Sequence, residues 1–242
     1  MPCRALDNAR GIRAVISEDQ SPYWCLHGLN LAEILDDEAK GRIHARMEHV
    51  DVRAGEPVFL PGDPADSIYT VHYGKIELSC RAEDGRKLTL WTVTEGRMFG
   101  ETELLGPEER RRWAAEAVED SMLCSIPRDL LYEVIREHPL AALSTQIGVG
   151  ENVRRLQNKL EDLVLRSAPA RVAQTLLRLW DEETEGEEAP IPLTHRELAD
   201  LVGATRETVS SVLGRFEREG WISKGRGSIR LLNLAALRGL RV

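Results

Sequence analysis

Arg206, Glu207, Ser210 and Ser211 carry the functional groups that read base-pair edges. An arginine fork matches guanine O6 and N7, a glutamate accepts from cytosine N4, and a serine hydroxyl donates and accepts. They fall on the outer side of a helix that begins at Thr205. Its opposite face is the stripe Val209, Leu213 and Phe216, whose separations of four and three residues suit burial. Ahead of it, Thr194 followed by Glu197 is a capping-box signature, and Leu198, Leu201 and Val202 share one face of a first helix. Gly203 supplies the corner, where a sharp turn wants positive φ. Two short helices so joined make a helix-turn-helix, whose second helix enters the major groove. An ordinary helical hairpin with a charged solvent face is the competing reading, but it does not account for cap, turn and base readers agreeing.

The residues that follow support the same chemistry. Trp221–Leu232 reads as a two-stranded wing with Gly225-Arg226-Gly227 at its tip, which places Lys224, Arg226 and Arg230 for phosphate. Thr194, Thr205 and Arg215 complete the candidate DNA contacts. The formal net charge of −8 suits nucleic acid poorly, yet residues 194–242 hold nine Lys/Arg against five Asp/Glu. Just before them, Asp181–Glu188 packs six acids into eight residues, a run expected to form a solvated loop that keeps the wrong surface off phosphate. Binding through the basic end alone should weaken steeply with salt.

The 242 residues allow two domains with sizeable cores. The sequence has no apolar run long enough for a transmembrane helix, and its first residues lack the apolar core of a signal peptide. Four widely spaced cysteines at this length do not make a secreted disulfide framework. A cytoplasmic protein with no membrane partner is expected. No Ser-His-Asp order, Walker loop, HExxH or CxxC is present, and the six histidines form no catalytic constellation, so an enzyme is not expected.

The elements that position these residues follow from the texture of the chain. Residues 1–28 are an irregular arm. Leu29–His49 is expected to be helical. From Val50 to Ile126, short apolar runs alternate with Gly-containing turns, with Val71, Ile76, Leu78, Leu88, Leu90 and Val93 in near-alternation and a hairpin signal at Asp84-Gly85. Many short strands at this spacing argue for a sandwich or barrel. Val149, Val153, Leu156, Leu160 and Leu163 then follow the 4-3-4-3 spacing of a coiled-coil seam, which predicts a homodimer through residues 149–163. Ser167-Ala168-Pro169 makes a hinge before a helix over Ala170–Trp180. The fold class expected is α+β.

In this order, the chain resembles the CRP/FNR family of bacterial transcription regulators. The resemblance rests on Gly55-Glu56, Phe59, Gly62-Asp63, Tyr69 and Gly74-Lys75-Ile76, on Phe99-Gly100-Glu101, on Arg155-Leu156-Gln157, on Arg171–Leu177 and on Arg206-Glu207-Thr208-Val209. It implies a cyclic-nucleotide-binding-type β-roll over residues 29–135 with its flanking helix. It further implies a dimerisation helix over 136–166 and a winged-helix domain over 167–242. It also implies that Arg206 and Glu207 read a TGTGA-type half-site, that RNA polymerase is a partner, and that the regulator is more often an activator than a repressor. A larger basic residue is common in the family where Ser211 stands. A regulatory subunit that shares the β-roll but does not bind DNA is the alternative class; residues 170–242 argue against it.

The resemblance leaves the effector open. Nucleotide-binding members place Gly-Glu on the ribose and, about ten residues later, Arg-Ser on the cyclic phosphate. Gly100-Glu101 and Arg111 fit, but Arg112 and Trp113 follow Arg111, and Lys159 and Leu160 stand where the adenine contacts would be, so the sequence departs from the cyclic AMP pattern. Glu101, Arg111 and Arg112 remain a candidate pocket for another anion. Cys3, Cys25, Cys80 and Cys124 are four thiols that could hold an iron–sulfur cluster. Cys25 and Cys124 resemble cluster cysteines of the FNR branch, although the close Cys-x2-Cys-x5-Cys run is absent. Haem would need ligands after Phe99, where Gly100 and Glu101 stand. Binding controlled by abundance alone is the remaining possibility.

Overall fold

The computed structural model describes Leu31 and residues 34–104, 109–183 and 189–240. Helix α1 (Asp37–Arg46) starts at Asp36, whose carboxylate accepts from the Ala39 amide at 2.8 Å, and it buries Ala39 and Ile43. Strand β1 (Glu48–Val52) follows directly, so His49 is in a strand and the helix expected over Leu29–His49 is shorter among the described residues. Asp36 marks the break, because its side chain satisfies a downstream amide and favours a fresh helix start.

Seven strands follow: β2 (Pro57–Phe59), β3 (Ser67–Tyr73), β4 (Lys75–Arg81), β5 (Lys87–Thr94), β6 (Met98–Phe99), β7 (Ala114–Ala117) and β8 (Ser121–Pro127), with the short helix α2 (Glu101–Leu104) after β6. They form two antiparallel four-stranded sheets, β1-β8-β3-β6 and β2-β7-β4-β5. Phe59, Val71, Ile76, Leu78, Trp91, Val93, Phe99 and Leu123 make a core common to both. The Asp84-Gly85 turn joins β4 to β5 as expected. On β5, however, the fully buried side chains are Thr89, Trp91 and Val93, while Leu88 and Leu90 are half-buried on the other side. Strand β5 has neighbours on both faces, helix α6 (His195–Val202) among them, so both sets of side chains are covered.

Beyond β8, helix α3 (Arg128–Glu137) packs with α1 over the first sheet, and Leu31, Ile43, Ile68, Cys124, Ile126, Leu130 and Val134 form a second core there. Helix α4 (Pro139–Leu165) has 27 residues, about 40 Å of rise. Its expected seam divides. Val149 and Leu156 pack into the cores of their own protomer and Leu163 is half-buried, whereas Val153 and Leu160 are 48% and 62% exposed. Leu143, Ile147 and Val164 are exposed as well, which gives α4 a long outward apolar stripe. Arg166 is extended, and α5 (Ala168–Glu183) then begins with Pro169 in its first turn, where the missing N–H costs nothing.

The C-terminal unit contains β9 (Ile191–Pro192), then α6, α7 (Arg206–Arg218), β10 (Ile222–Gly225), β11 (Ser228–Leu231) and α8 (Leu234–Gly239). Strand β9 escaped prediction: two residues carry no periodicity, and it is a strand because it pairs with β11. Val172, Leu176, Leu198, Val202, Val209, Leu213, Phe216, Ile222 and Ile229 form the core of this unit. The acidic run lies partly outside the described residues, at 184–188. Among the described residues, no helix is long and apolar enough to cross a membrane.

Candidate functional site

The capping box forms in full. Thr194 Oγ1 accepts from the Glu197 amide at 3.2 Å, and the Thr194 amide donates to Glu197 Oε2 at 2.7 Å. Gly203 closes α6 in the left-handed region, at φ 63 and ψ 49. A Cβ there would meet Leu163 Cδ2 at 2.7 Å and Leu88 Cδ1 at 3.1 Å, so these two side-chain ends would have to move, while the positive φ is what favours glycine at the corner. Thr205 caps α7, accepting from the Thr208 amide at 3.2 Å. With Val209, Val212, Leu213 and Phe216 buried beneath, Arg206, Glu207 and Ser211 are exposed on the first two turns and Ser210 is half-buried beside them. The Glu207 carboxyl is held below the usual range by its own backbone amide and then by the Thr205 hydroxyl, which keeps it an ionised acceptor.

The other expected contacts are placed unevenly. Arg226 is exposed at the turn between β10 and β11, and Arg230 is exposed on β11. Lys224 is bound to Glu217 of α7 (Nζ–Oε2 2.8 Å), an ion pair that fastens the wing to the second helix. Arg215 is half-buried, with its guanidinium 5.4 Å from the Phe216 ring centroid. Ser210 Oγ lies 2.8 Å from His195 Nδ1. Two cationic side chains hold the end of α6. Lys159 of α4 donates to the Leu201 carbonyl, and Arg171 of α5 donates to the Val202 carbonyl at 2.9 Å and the Gly203 carbonyl at 3.4 Å. Burial, then Arg178, pulls the Lys159 ammonium down to about 8. These bonds satisfy orphan carbonyls and complement the helix dipole. They were not legible in the sequence, because Lys159 and Leu201 are 42 residues apart.

In the β-roll, Glu101 and Arg111 are both buried and turned inward, each to its own partners. Arg111 is 2% exposed. Its guanidinium donates to the Gly100 carbonyl at 2.7 Å and to the Ser67 carbonyl, lies 3.8 Å from Glu103 Oε2, and stacks 4.3 Å above the Phe59 ring. Gly100, at φ 81, leaves room for it: a Cβ there would stand 2.9 Å from Arg111 Nη1. Glu101 accepts from Asn152 Nδ2 of α4 at 2.7 Å, and burial raises its pKa above the ordinary carboxylate range. Arg112 donates its backbone amide to Glu103 at 3.3 Å. No local signal in the sequence singles out Glu103 or Asn152.

Cys124 is buried on β8 under α1 and α3, and Cys80 is half-buried on β4, in the other sheet. Cys3 and Cys25 lie outside the described residues. Among those described, no three His, Cys, Asp or Glu side chains group as metal ligands. His72, half-buried on β3, has its pKa lowered by burial first.

Residues 170–240 match the Crp-like helix-turn-helix domain, and residues 49–138 the cyclic nucleotide-binding domain. The chain is 32% identical over 192 residues (78% of this chain, 85% of the relative) to the CRP-like cAMP-activated global transcriptional regulator of Mycobacterium tuberculosis. It is 38% identical over 199 residues (80% and 94%) to the transcriptional regulator SdrP of Thermus thermophilus. A solved transcriptional regulator of the CRP/FNR family, also from Thermus thermophilus, superposes with a TM-score of 0.68 at 33% identity, covering 80% of this chain and 97% of that one. These relatives are transcription regulators, not enzymes. The chain belongs to the CRP/FNR family of transcription regulators, with a cyclic-nucleotide-binding-type domain ahead of a DNA-binding helix-turn-helix.

Proposed function

We propose that two copies of the chain bind one two-fold DNA site, each placing α7 in the major groove of a TGTGA-type half-site. The observation that carries this is the division of α7 itself: one face is fully buried, and the other presents Arg206, Glu207 and Ser211. Arg206 and Glu207 read bases; Thr194, Thr205, Lys224, Arg226 and Arg215 serve position and phosphate. The exposed stripe of Leu143, Ile147, Val153, Leu160 and Val164 on α4 supports pairing with a second copy, since a contiguous apolar band of this length is costly in water. Residues 29–135 act as the sensor domain, 136–166 as the dimer helix and 167–242 as the DNA-binding domain. The regulator works in the cytoplasm, with RNA polymerase as its partner and activation as its usual outcome.

The inward bonding of Arg111 favours DNA binding without cyclic AMP, because a cyclic phosphate would have to displace Glu103 and two carbonyls from that guanidinium. Activity is then set by the amount of protein. An anion that draws Arg111 out is the second reading, favoured by the nearness of Glu101 and Asn152 to the dimer helix. The cysteines support a cluster less well, since Cys80 and Cys124 stand in different sheets.

Selection from a randomised duplex library, with sedimentation of the complex, tests this reading. A two-fold consensus bound by two chains is expected. Selection of no sequence, or a complex with one chain, contradicts it.

A further inference from the structure

His195 and Ser210 stand at the first turn of α6 and the second turn of α7, joined by a contact of 2.8 Å between Nδ1 and Oγ. The contact ties the helix that crosses the DNA backbone to the face of the helix that reads bases. It also controls what Ser210 presents. A hydroxyl has one proton and donates in one direction at a time. With His195 neutral and its proton on Nε2, the Nδ1 lone pair takes the Ser210 proton. Ser210 then shows only lone pairs outward and accepts from cytosine N4 or adenine N6. With His195 protonated, Nδ1–H donates to Oγ, and the hydroxyl proton turns outward toward guanine O6 or N7, or thymine O4.

We propose that His195 is a specificity-determining residue of the DNA interface, setting whether Ser210 reads its base pair as an acceptor or as a donor. This rests on the recognition-helix reading above. The ring is half-buried, so burial first, then Lys224 on β10 and Arg206 on α7, hold its pKa below the ordinary histidine value. Lys224 is in turn paired with Glu217 on α7. The free protein at neutral pH therefore carries His195 uncharged, and with the ring proton on Nε2 Ser210 is an acceptor. Acidification reverses the polarity without moving the backbone. His195 touches no reacting group; it is a positioning residue that acts through Ser210.

The test is fluorescence anisotropy on duplexes carrying each of the four bases at the pair whose preference Ser210→Ala abolishes, at about pH 8 and about pH 5.5. At the higher pH, cytosine or adenine on the facing strand should be preferred by roughly two- to tenfold, the worth of one hydrogen bond. At the lower pH, guanine or thymine should gain. His195→Phe should flatten that one preference to within about twofold and remove its pH dependence. A His195→Phe variant that keeps the wild-type preference at both pH values overturns the proposal. The ¹⁵N spectrum of the ring in the DNA-free protein gives a second readout. A neutral ring protonated on Nε2, with a titration that shifts in Ser210→Ala, is expected; a neutral ring protonated on Nδ1 overturns it. If the unaltered chain showed no sequence preference at any position, the recognition-helix reading would fall instead. The ring spectrum would then still judge the His195–Ser210 bond.

Discussion

Arg111 and Arg206 bear the same guanidinium in opposite settings. Arg111 is 2% exposed, bonded to two carbonyls, close to Glu103 and stacked on Phe59. Arg206 is exposed on the first turn of a helix whose far side is a packed core. Arg111 directs its two terminal nitrogens at carbonyls inside the protein and leaves its buried Nε without a partner among the described residues, whereas Arg206 holds its whole guanidinium out on a rigid element. The two domains differ in the same way. The winged helix turns its polar groups outward around Val209, Leu213 and Phe216, and the β-roll turns Glu101, Glu103 and Arg111 inward.

Substituting each arginine sharpens that contrast. Arg111→Met should destabilise the β-roll by about 3–5 kcal/mol, since it leaves Glu103 buried without its partner, and urea unfolding reads this directly. A change under about 1 kcal/mol would mean that the inward network is not structural. Arg206→Ala should do the reverse. Stability should stay within about 0.5 kcal/mol, while discrimination at one base pair falls by about 1–3 kcal/mol in competition binding.

Glu101 gives a smaller effect with a defined sign. Its folded-state pKa is raised, so the folded protein holds the proton more tightly than the unfolded chain. Its contribution is therefore fully present below the unfolded pKa and is lost as pH rises through the raised folded value. Glu101→Gln keeps an oxygen for Asn152 and removes the ionisation. The variant's stability relative to the parent should accordingly grow with pH above the ordinary carboxylate range, and urea midpoints at several pH values measure it. A constant difference would contradict the assignment. The smallest effect belongs to the wing: Arg226→Ala should weaken all duplexes about equally and reduce the salt slope by about 0.9. An altered sequence preference would break the division between base readers and phosphate contacts.

What was legible in the sequence follows from the range of the physics involved. The Thr194–Glu197 box, the Gly203 corner and the buried stripe of α7 obey rules that act within one or two turns, and they stand where expected. The seam of α4 was half legible. Periodicity marks an apolar face but not its neighbour, and Val149 and Leu156 pack within their own protomer while Val153 and Leu160 do not. Leu88 and Leu90 on β5 are half-buried, and near-alternation alone does not say which face is the fully buried one. The inward turn of Arg111 was not legible at all. Its partners Ser67 and Gly100 lie 44 and 11 residues away, and nothing local distinguishes a buried arginine from an exposed one. The His195–Ser210 contact spans the helix corner and was likewise hidden.

If the outward face of α7 reads DNA and the inward bonding of Arg111 makes cyclic AMP unnecessary, binding must be the same with and without the nucleotide. The most direct measurement is the affinity of the purified chain for a duplex with two TGTGA-type half-sites one helical turn apart, with and without saturating cyclic AMP. Specific binding of about 10⁻⁸ M or tighter at physiological salt is predicted, equal in both conditions and lost in Arg206→Ala. Specific binding that appears only when cyclic AMP is added would contradict it.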